Sequence, residues 1–259
     1  MPLRTFSFRA AGGKERPDEC RDQLRAVAKG LGAIYVKIDR TAEDVLVNAV
    51  FDLPDEERRR FIGELTRAAR SALPSLRGEI AVDEHPSRPH ELTAQILLDR
   101  REGTLPLHGA LQAPEDIAGW ERFLATAQPR GVLELGTSAG VFAHWLSKRV
   151  DWFRTIDVAT PERATPGFVQ VDVWAEPERV HDLIRKAPRP FVLYCDDGNK
   201  QLEVEKFGRS LWPGDYLAVH DVGTEFFPEG MPAGYDEQFV QGLTGFYRKA
   251  SSARPSASP

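Results

Sequence analysis

The sequence is short of several things, and each shortage narrows the field. It has only two cysteines, Cys20 and Cys195. That is too few for a disulfide framework or a cysteine-based zinc site. No apolar run approaches the roughly 18–20 residues needed to span a bilayer. The opening Met1-Pro2-Leu3-Arg4-Thr5-Phe6-Ser7-Phe8 has no apolar signal core, so a cytoplasmic location is expected. Positive charge is also lacking: 34 Lys plus Arg stand against 39 Asp plus Glu, a net charge of −5. A nucleic-acid partner is therefore not expected, because such partners are held by basic patches. What is present is an ordinary globular composition, 41% hydrophobic and 28% charged over 259 residues. That length fits one large domain or two small ones.

The first 84 residues read as alternating elements. Thr5–Phe8 suggests a strand, broken by Gly12-Gly13. Pro17 and Asp18 open a helix with Leu24, Val27, Ala28 and Leu31 on one face. Ala33–Ile38 and Val45–Leu53 read as strands. Pro54 and the acids Asp55, Glu56 and Glu57 start a second helix, whose stripe is Phe61, Ile62, Leu65, Ala68, Ala69 and Leu73. Gly78–Val82 closes the series. The order β-α-β-β-α-β is that of a ferredoxin-like sandwich. Residues 85–113 read as a linker with a short helix over His90–Arg100. Residues 114–250 then show strand–helix alternation, which predicts a Rossmann-like, doubly wound, mostly parallel sheet. Within it, Leu202–Leu211 reads as a helix, Asp236–Leu243 as another, and Gly245–Arg248 as a strand. Residues 251–259 are rich in Ser, Pro and Ala and read as a disordered tail.

Chemistry concentrates where strands give way to loops. Glu134-Leu135-Gly136-Thr137-Ser138-Ala139-Gly140 lies between a strand and a helix. Glycines there let a ligand approach the backbone, and the helix start offers free amides. Ser138 stands where a G-x-G-x-x-G motif needs its second glycine, which weighs against an NAD-dependent oxidoreductase. Asp157 follows the next strand, 23 residues after Glu134, where an acid can accept ribose hydroxyls. Asp172 is placed to meet an adenine amino group, with Trp174 near enough to stack; a turn-capping acid and a core Trp is the equal alternative. The segment Asp196-Asp197-Gly198-Asn199-Lys200 and the strand end His220-Asp221 add more polar groups to the same rim, since ligands gather at strand carboxyl ends in open parallel sheets. Asp197 and Asp221, with His220 or Asp196, can ligate a divalent ion, and so carboxylate-rich a set favours Mg²⁺ or Mn²⁺. Lys200 can act as a base if its pKa is lowered.

Together these segments resemble the class I S-adenosylmethionine-dependent methyltransferases. They are Val132–Gly140, Ile156-Asp157, Tyr194–Lys200 and Trp212–Asp221. The likeness is nearest to the cephalosporin hydroxylase and rhamnosyl O-methyltransferase group, supported by Leu107–Ile117. It covers roughly residues 105–228. It implies that the Glu134–Gly140 loop, with Gly136, Thr137, Ser138 and Gly140, binds the methionine part of S-adenosylmethionine and that Asp157 binds its ribose; Asp172 and Asp196 are expected as further cofactor contacts. It implies a metal site of Asp197, His220 and Asp221 and a base at Lys200. The group normally has an acid or amide-bearing residue where this chain has His220, so a metal-free enzyme with His220 as base is also open. The family sheet ends in a two-strand hairpin, which the short stretch after Asp221 suggests is reduced here. The expected activity is O-methylation of a small polar acceptor, a sugar or natural product. A non-catalytic cofactor-binding regulator is the third reading. Residues 1–84 match nothing in the family and are assigned to substrate cover or homodimer formation.

Overall fold

The computed structural model describes residues 2–11, 17–40, 44–73, 80–104, 107 and 110–250. The chain divides into two compact units, Met1–Glu102 and Gly103–Pro259.

The first unit runs β1 (Leu3–Ala11), α1 (Pro17–Gly30), β2 (Tyr35–Arg40), β3 (Asp44–Asp52), α2 (Arg58–Ala72), β4 (Ile80–Glu84) and α3 (Arg88–Glu102). Its sheet has the order β2-β3-β1-β4 with every neighbour antiparallel, the ferredoxin-like arrangement. Strand side chains alternate between faces. Phe6, Phe8 and Ala10 therefore join Val47, Ala49 and Phe51 on one face, under Leu24 and Ala28 of α1 and Leu65 and Ala69 of α2. The rings of Phe6, Phe51 and Phe61 meet edge to face, with centroids 4.9–5.8 Å apart. The other face is mixed, with Val50 buried beside polar groups. There Ser7 Oγ donates to Asn48 Oδ1 at 2.6 Å and Thr5 Oγ1 to Glu91 Oε1 of α3 at 3.2 Å. Helix α3, read from sequence as part of a linker, thus packs on the first unit's sheet. Gly12-Gly13 and the start of the expected Gly78–Val82 strand lie outside the described residues, as does the 251–259 tail.

The second unit runs α4 (Pro114–Ala127), β5 (Gly131–Leu135), α5 (Val141–Ser147), β6 (Trp152–Asp157), β7 (Phe168–Gln170), α6 (Pro177–Lys186), β8 (Phe191–Cys195), α7 (Lys200–Phe207), β9 (Tyr216–Val219), β10 (Tyr235–Gln241) and β11 (Thr244–Lys249). The sheet order is β10-β11-β9-β8-β5-β6-β7. Strands β5 to β9 pair in parallel, whereas β11 is antiparallel to β9 and β10. Every residue of β5 and β8 is buried, as continuous apolar runs covered on both faces should be. Leu133, Leu135, Leu193 and Cys195 pack toward Val180, Ile184, Val204 and Phe207. Val132, Val192 and Tyr194 pack the other way, toward Trp120, Phe123, Phe142 and Leu146.

Two expectations fail at the C-terminal edge. Asp236–Leu243 is not a helix: Tyr235–Gln241 is a strand, turning at Gly242-Leu243 into β11. The edge is therefore not reduced, because this hairpin completes the sheet. The register shifts between Glu237 and Phe239, and such an irregularity interrupts the alternation by which a strand is read. Near the site, the expected Leu202–Leu211 helix begins two residues earlier, at Lys200, and becomes a 3₁₀ turn at Gly208.

Candidate active site

The crevice of an open α/β sheet forms where the strand order reverses. Here that point lies between β5, which continues to β6 on one side, and β8 on the other. The two strand ends touch: a Cβ on Gly136 would meet the Asp196 carbonyl oxygen at 2.5 Å, and the glycine has φ +92°. Ser138 and Gly140 also have positive φ, and a side chain at Gly140 would collide with Thr165. The loop 136–140 thus turns sharply into α5.

Asp157, at the end of β6, holds this turn. Its Oδ2 accepts the Thr137 and Ser138 amides at 3.0 and 2.9 Å, and its Oδ1 accepts the Ala159 amide at 3.1 Å. A carboxylate has about four lone-pair sites, so Oδ1 can still accept a further donor. Thr137 and Thr155 hydroxyls pair at 2.6 Å beside Glu134. Glu134 is 1% exposed, and its Oε2 has no hydrogen-bond partner. Burial pushes this carboxyl well above the usual range, with Asp196 and Asp157 adding repulsion. A buried acceptor without a donor is costly, and a cofactor amine aimed at it would relieve that cost. Asp172 is used differently: its Oδ1 accepts the Trp174 and Ala175 amides at 2.8 and 3.0 Å, the turn-capping alternative. Trp174 is half-exposed, with the Lys206 ammonium 5.3 Å from its ring centre.

Asp196, His220 and Asp221 form the second half of the site. His220 is 4% exposed. Its Nδ1 lies 3.2 Å from Asp196 Oδ1 and 3.4 Å from Asp221 Oδ1. Asp196 Oδ2 accepts from Tyr194 Oη and Gln112 Nε2, both at 3.0 Å. His220 Nε2 faces Asp116 Oδ2 at 3.6 Å. Burial opposes charge on His220, but Asp196 and Asp221 outweigh it and hold the imidazole protonated well above its ordinary range. Asp221 also pairs with Lys200 Nζ at 2.9 Å, and Glu225 receives a bond from the same ammonium at 2.9 Å.

The structure corrects two expectations. First, the three groups whose ligand atoms lie within 4.8 Å of one another are Asp196, His220 and Asp221. Asp196, expected beside the cofactor, takes the position expected of Asp197. The reason is geometric: Asp196 is the first residue past the strand and turns toward His220, whereas the Asp197 amide points to Glu203 on α7. Second, Lys200 is not set up as a base. Although burial lowers its pKa, Asp221, Asp196 and Glu225 raise it further above the ordinary lysine value. Sequence reading did not single out Gln112, Asp116, Glu203 or Glu225, because each is a common helix-start or loop residue whose role appears only across the fold.

The parallel strands, the glycine turn at the switch point and the antiparallel terminal hairpin make the second unit a Rossmann-like, mostly parallel α/β fold. No family model and no curated protein matches the chain. Among solved structures it is similar to cmcI with Mg and SAM: 18% identity, TM-score 0.45, 55% of this chain and 74% of that one covered. It is also similar to the O-methyltransferase TomG from Streptomyces achromogenes, involved in tomaymycin synthesis and solved with SAM. There the identity is 18%, the TM-score 0.42, and 62% of this chain and 90% of that one are covered.

Proposed function

We propose that this chain is an S-adenosylmethionine-dependent methyltransferase acting on a hydroxyl of a small polar acceptor such as a sugar or natural product. The observation that carries the reading is the acidic rim at the switch point. Glu134 is the next-to-last residue of β5, Asp157 ends β6, and Asp196 and Asp197 follow β8. Such a rim suits a cationic sulfonium cofactor and opposes the pyrophosphate of a dinucleotide. Glu134 supplies an acceptor for the cofactor's amino group, Asp157 one for its ribose, and the 136–140 turn lets backbone approach both. Methyl transfer is an in-line displacement, so the gain from the protein is alignment of acceptor oxygen, methyl and sulfur.

The acceptor also has to lose a proton. Lys200 and His220 are both held protonated by neighbouring carboxylates, so neither serves as a free base in this arrangement. The Asp196, His220 and Asp221 donors fit a divalent ion in type and spacing. Such an ion, when bound, lowers the pKa of a coordinated hydroxyl.

Melting-temperature titration tests the reading. S-adenosylhomocysteine should raise the melting temperature with a saturating dose dependence, worth about 2.7 kcal/mol at a hundred times Kd. NAD should leave it unchanged. Stabilisation by NAD but not by S-adenosylhomocysteine would overturn the proposal. Labelled methyl transfer in an acceptor screen then separates the enzyme from a non-catalytic binder.

A further inference from the structure

His220 changes the chemistry of the second half of the site. An all-oxygen donor set suits Mg²⁺, whereas an imidazole nitrogen favours first-row transition ions. His220 is a nitrogen donor fixed between two carboxylates, at 3.2 Å from Asp196 Oδ1 and 3.4 Å from Asp221 Oδ1. Two ligands about 2.1 Å from an ion and at right angles to it lie about 3 Å apart, so these separations already approach the edges of a coordination polyhedron.

The far side of the ring is also prepared. Metal-bound histidines commonly present their other nitrogen to a carboxylate, which fixes ring orientation and tautomer. His220 Nε2 is buried without a hydrogen-bond partner and faces Asp116 Oδ2 at 3.6 Å. Asp116 is completely buried and cannot swing away. Its Oδ2 accepts the Ala113 amide at 2.8 Å, and its Oδ1 accepts the Leu243 amide at 2.8 Å and the Thr244 hydroxyl at 2.9 Å. Four residues earlier, Gln112 fixes Asp196 in the same way. One short stretch therefore braces two of the three donors.

We propose that Asp196, His220 and Asp221 bind a divalent transition ion such as Mn²⁺ or Co²⁺ in preference to Mg²⁺, with Asp116 as the positioning residue for His220. This rests on the reading of the crevice as a methyltransferase site only in assigning the ion a purpose; the donor set stands apart from it.

Calorimetric titration of the full chain with Co²⁺, Mn²⁺ and Mg²⁺ tests the selection. Most sites of nitrogen and oxygen donors bind Co²⁺ above Mg²⁺ to some degree. The decisive quantity is therefore the change in the Co²⁺:Mg²⁺ affinity ratio on His220→Asp, expected to fall about tenfold or more as nitrogen is replaced by oxygen. His220→Asn makes the same replacement without adding charge, and serves if the first variant does not fold. Asp116→Asn should weaken Co²⁺ binding about 10- to 100-fold and alter the visible spectrum of the bound ion. Melting shifts with S-adenosylhomocysteine, measured on the same samples, keep the two proposals separate. A ratio unchanged by both His220 variants, or a wild-type preference for Mg²⁺, overturns this one even where the cofactor still binds. A Co²⁺ spectrum unaltered by Asp116→Asn removes Asp116 from the positioning role.

Discussion

Glu203 illustrates how much of a site's chemistry is set by neighbours distant in sequence. On α7 no apolar pattern marks it for burial, yet it is fully buried, and its Oε1 has no partner. Burial pushes its carboxyl up to about 8, although Lys200 pulls the other way. A carboxyl whose folded pKa lies above its unfolded one favours the protonated form. Folding then gains nothing from it below about pH 4.5 and bears a growing cost from there to about pH 8. Glu203→Gln removes that cost while keeping the shape. The variant should match the wild type near pH 4.5 and become progressively more stable than it toward pH 8, by the order of a few kcal/mol. Denaturant unfolding at several pH values measures this, and a constant difference across the range would rule it out. Sequence identified the acids at strand ends, because topology fixes that rim. It could not tell Asp196 from Asp197, because adjacent residues past a strand differ only in the direction they turn. The surroundings of Lys200 were hidden for a related reason: Asp221 and Glu225 approach it only after folding.

The same limit appears in the secondary structure. The ferredoxin-like unit was legible because its apolar residues keep strict periods of two or 3.6 over each segment. The parallel strands were legible as unbroken apolar runs. Strand β10 was not, because its register slips and its exposed edge carries Asp236, Glu237 and Gln238. What holds that hairpin is a contact from far away. Asp116, at the start of α4, accepts the Leu243 amide and the Thr244 hydroxyl inside the turn. Gly242 leaves room for this: its φ is +63°, and a Cβ would meet Asp116 Oδ1 at 2.6 Å. Gly242→Ala therefore adds left-handed strain of about 1 kcal/mol or more to a clash with a fixed carboxylate. We expect a total loss of about 2 kcal/mol or more in unfolding free energy, read by chemical denaturation. An alanine tolerated within 0.5 kcal/mol would mean that the carboxylate does not brace the turn.

Over the whole molecule, the charge tells the units apart. Residues 1–102 contain 18 Lys plus Arg and 18 Asp plus Glu, leaving 16 and 21 for residues 103–259. The net −5 thus resides entirely in the unit that carries the acidic rim. Every residue placed in the candidate site, from Gln112 to Glu225, belongs to this second unit, which has its own cores on both sheet faces. Cofactor binding should therefore be a property of residues 103–259 alone. The first unit, with its separate core, is proposed to serve acceptor use or dimerisation. The fragment 103–259 should bind S-adenosylhomocysteine with a Kd within about threefold of the full chain, under 1 kcal/mol apart. Turnover on an acceptor, or the oligomeric state, should change instead. Calorimetry on the two proteins decides the first point, and sedimentation with a methyl-transfer assay decides the second. If the fragment is folded by circular dichroism yet binds S-adenosylhomocysteine more than tenfold more weakly, the first unit contributes to the cofactor site, and the division of labour argued from charge and core is wrong.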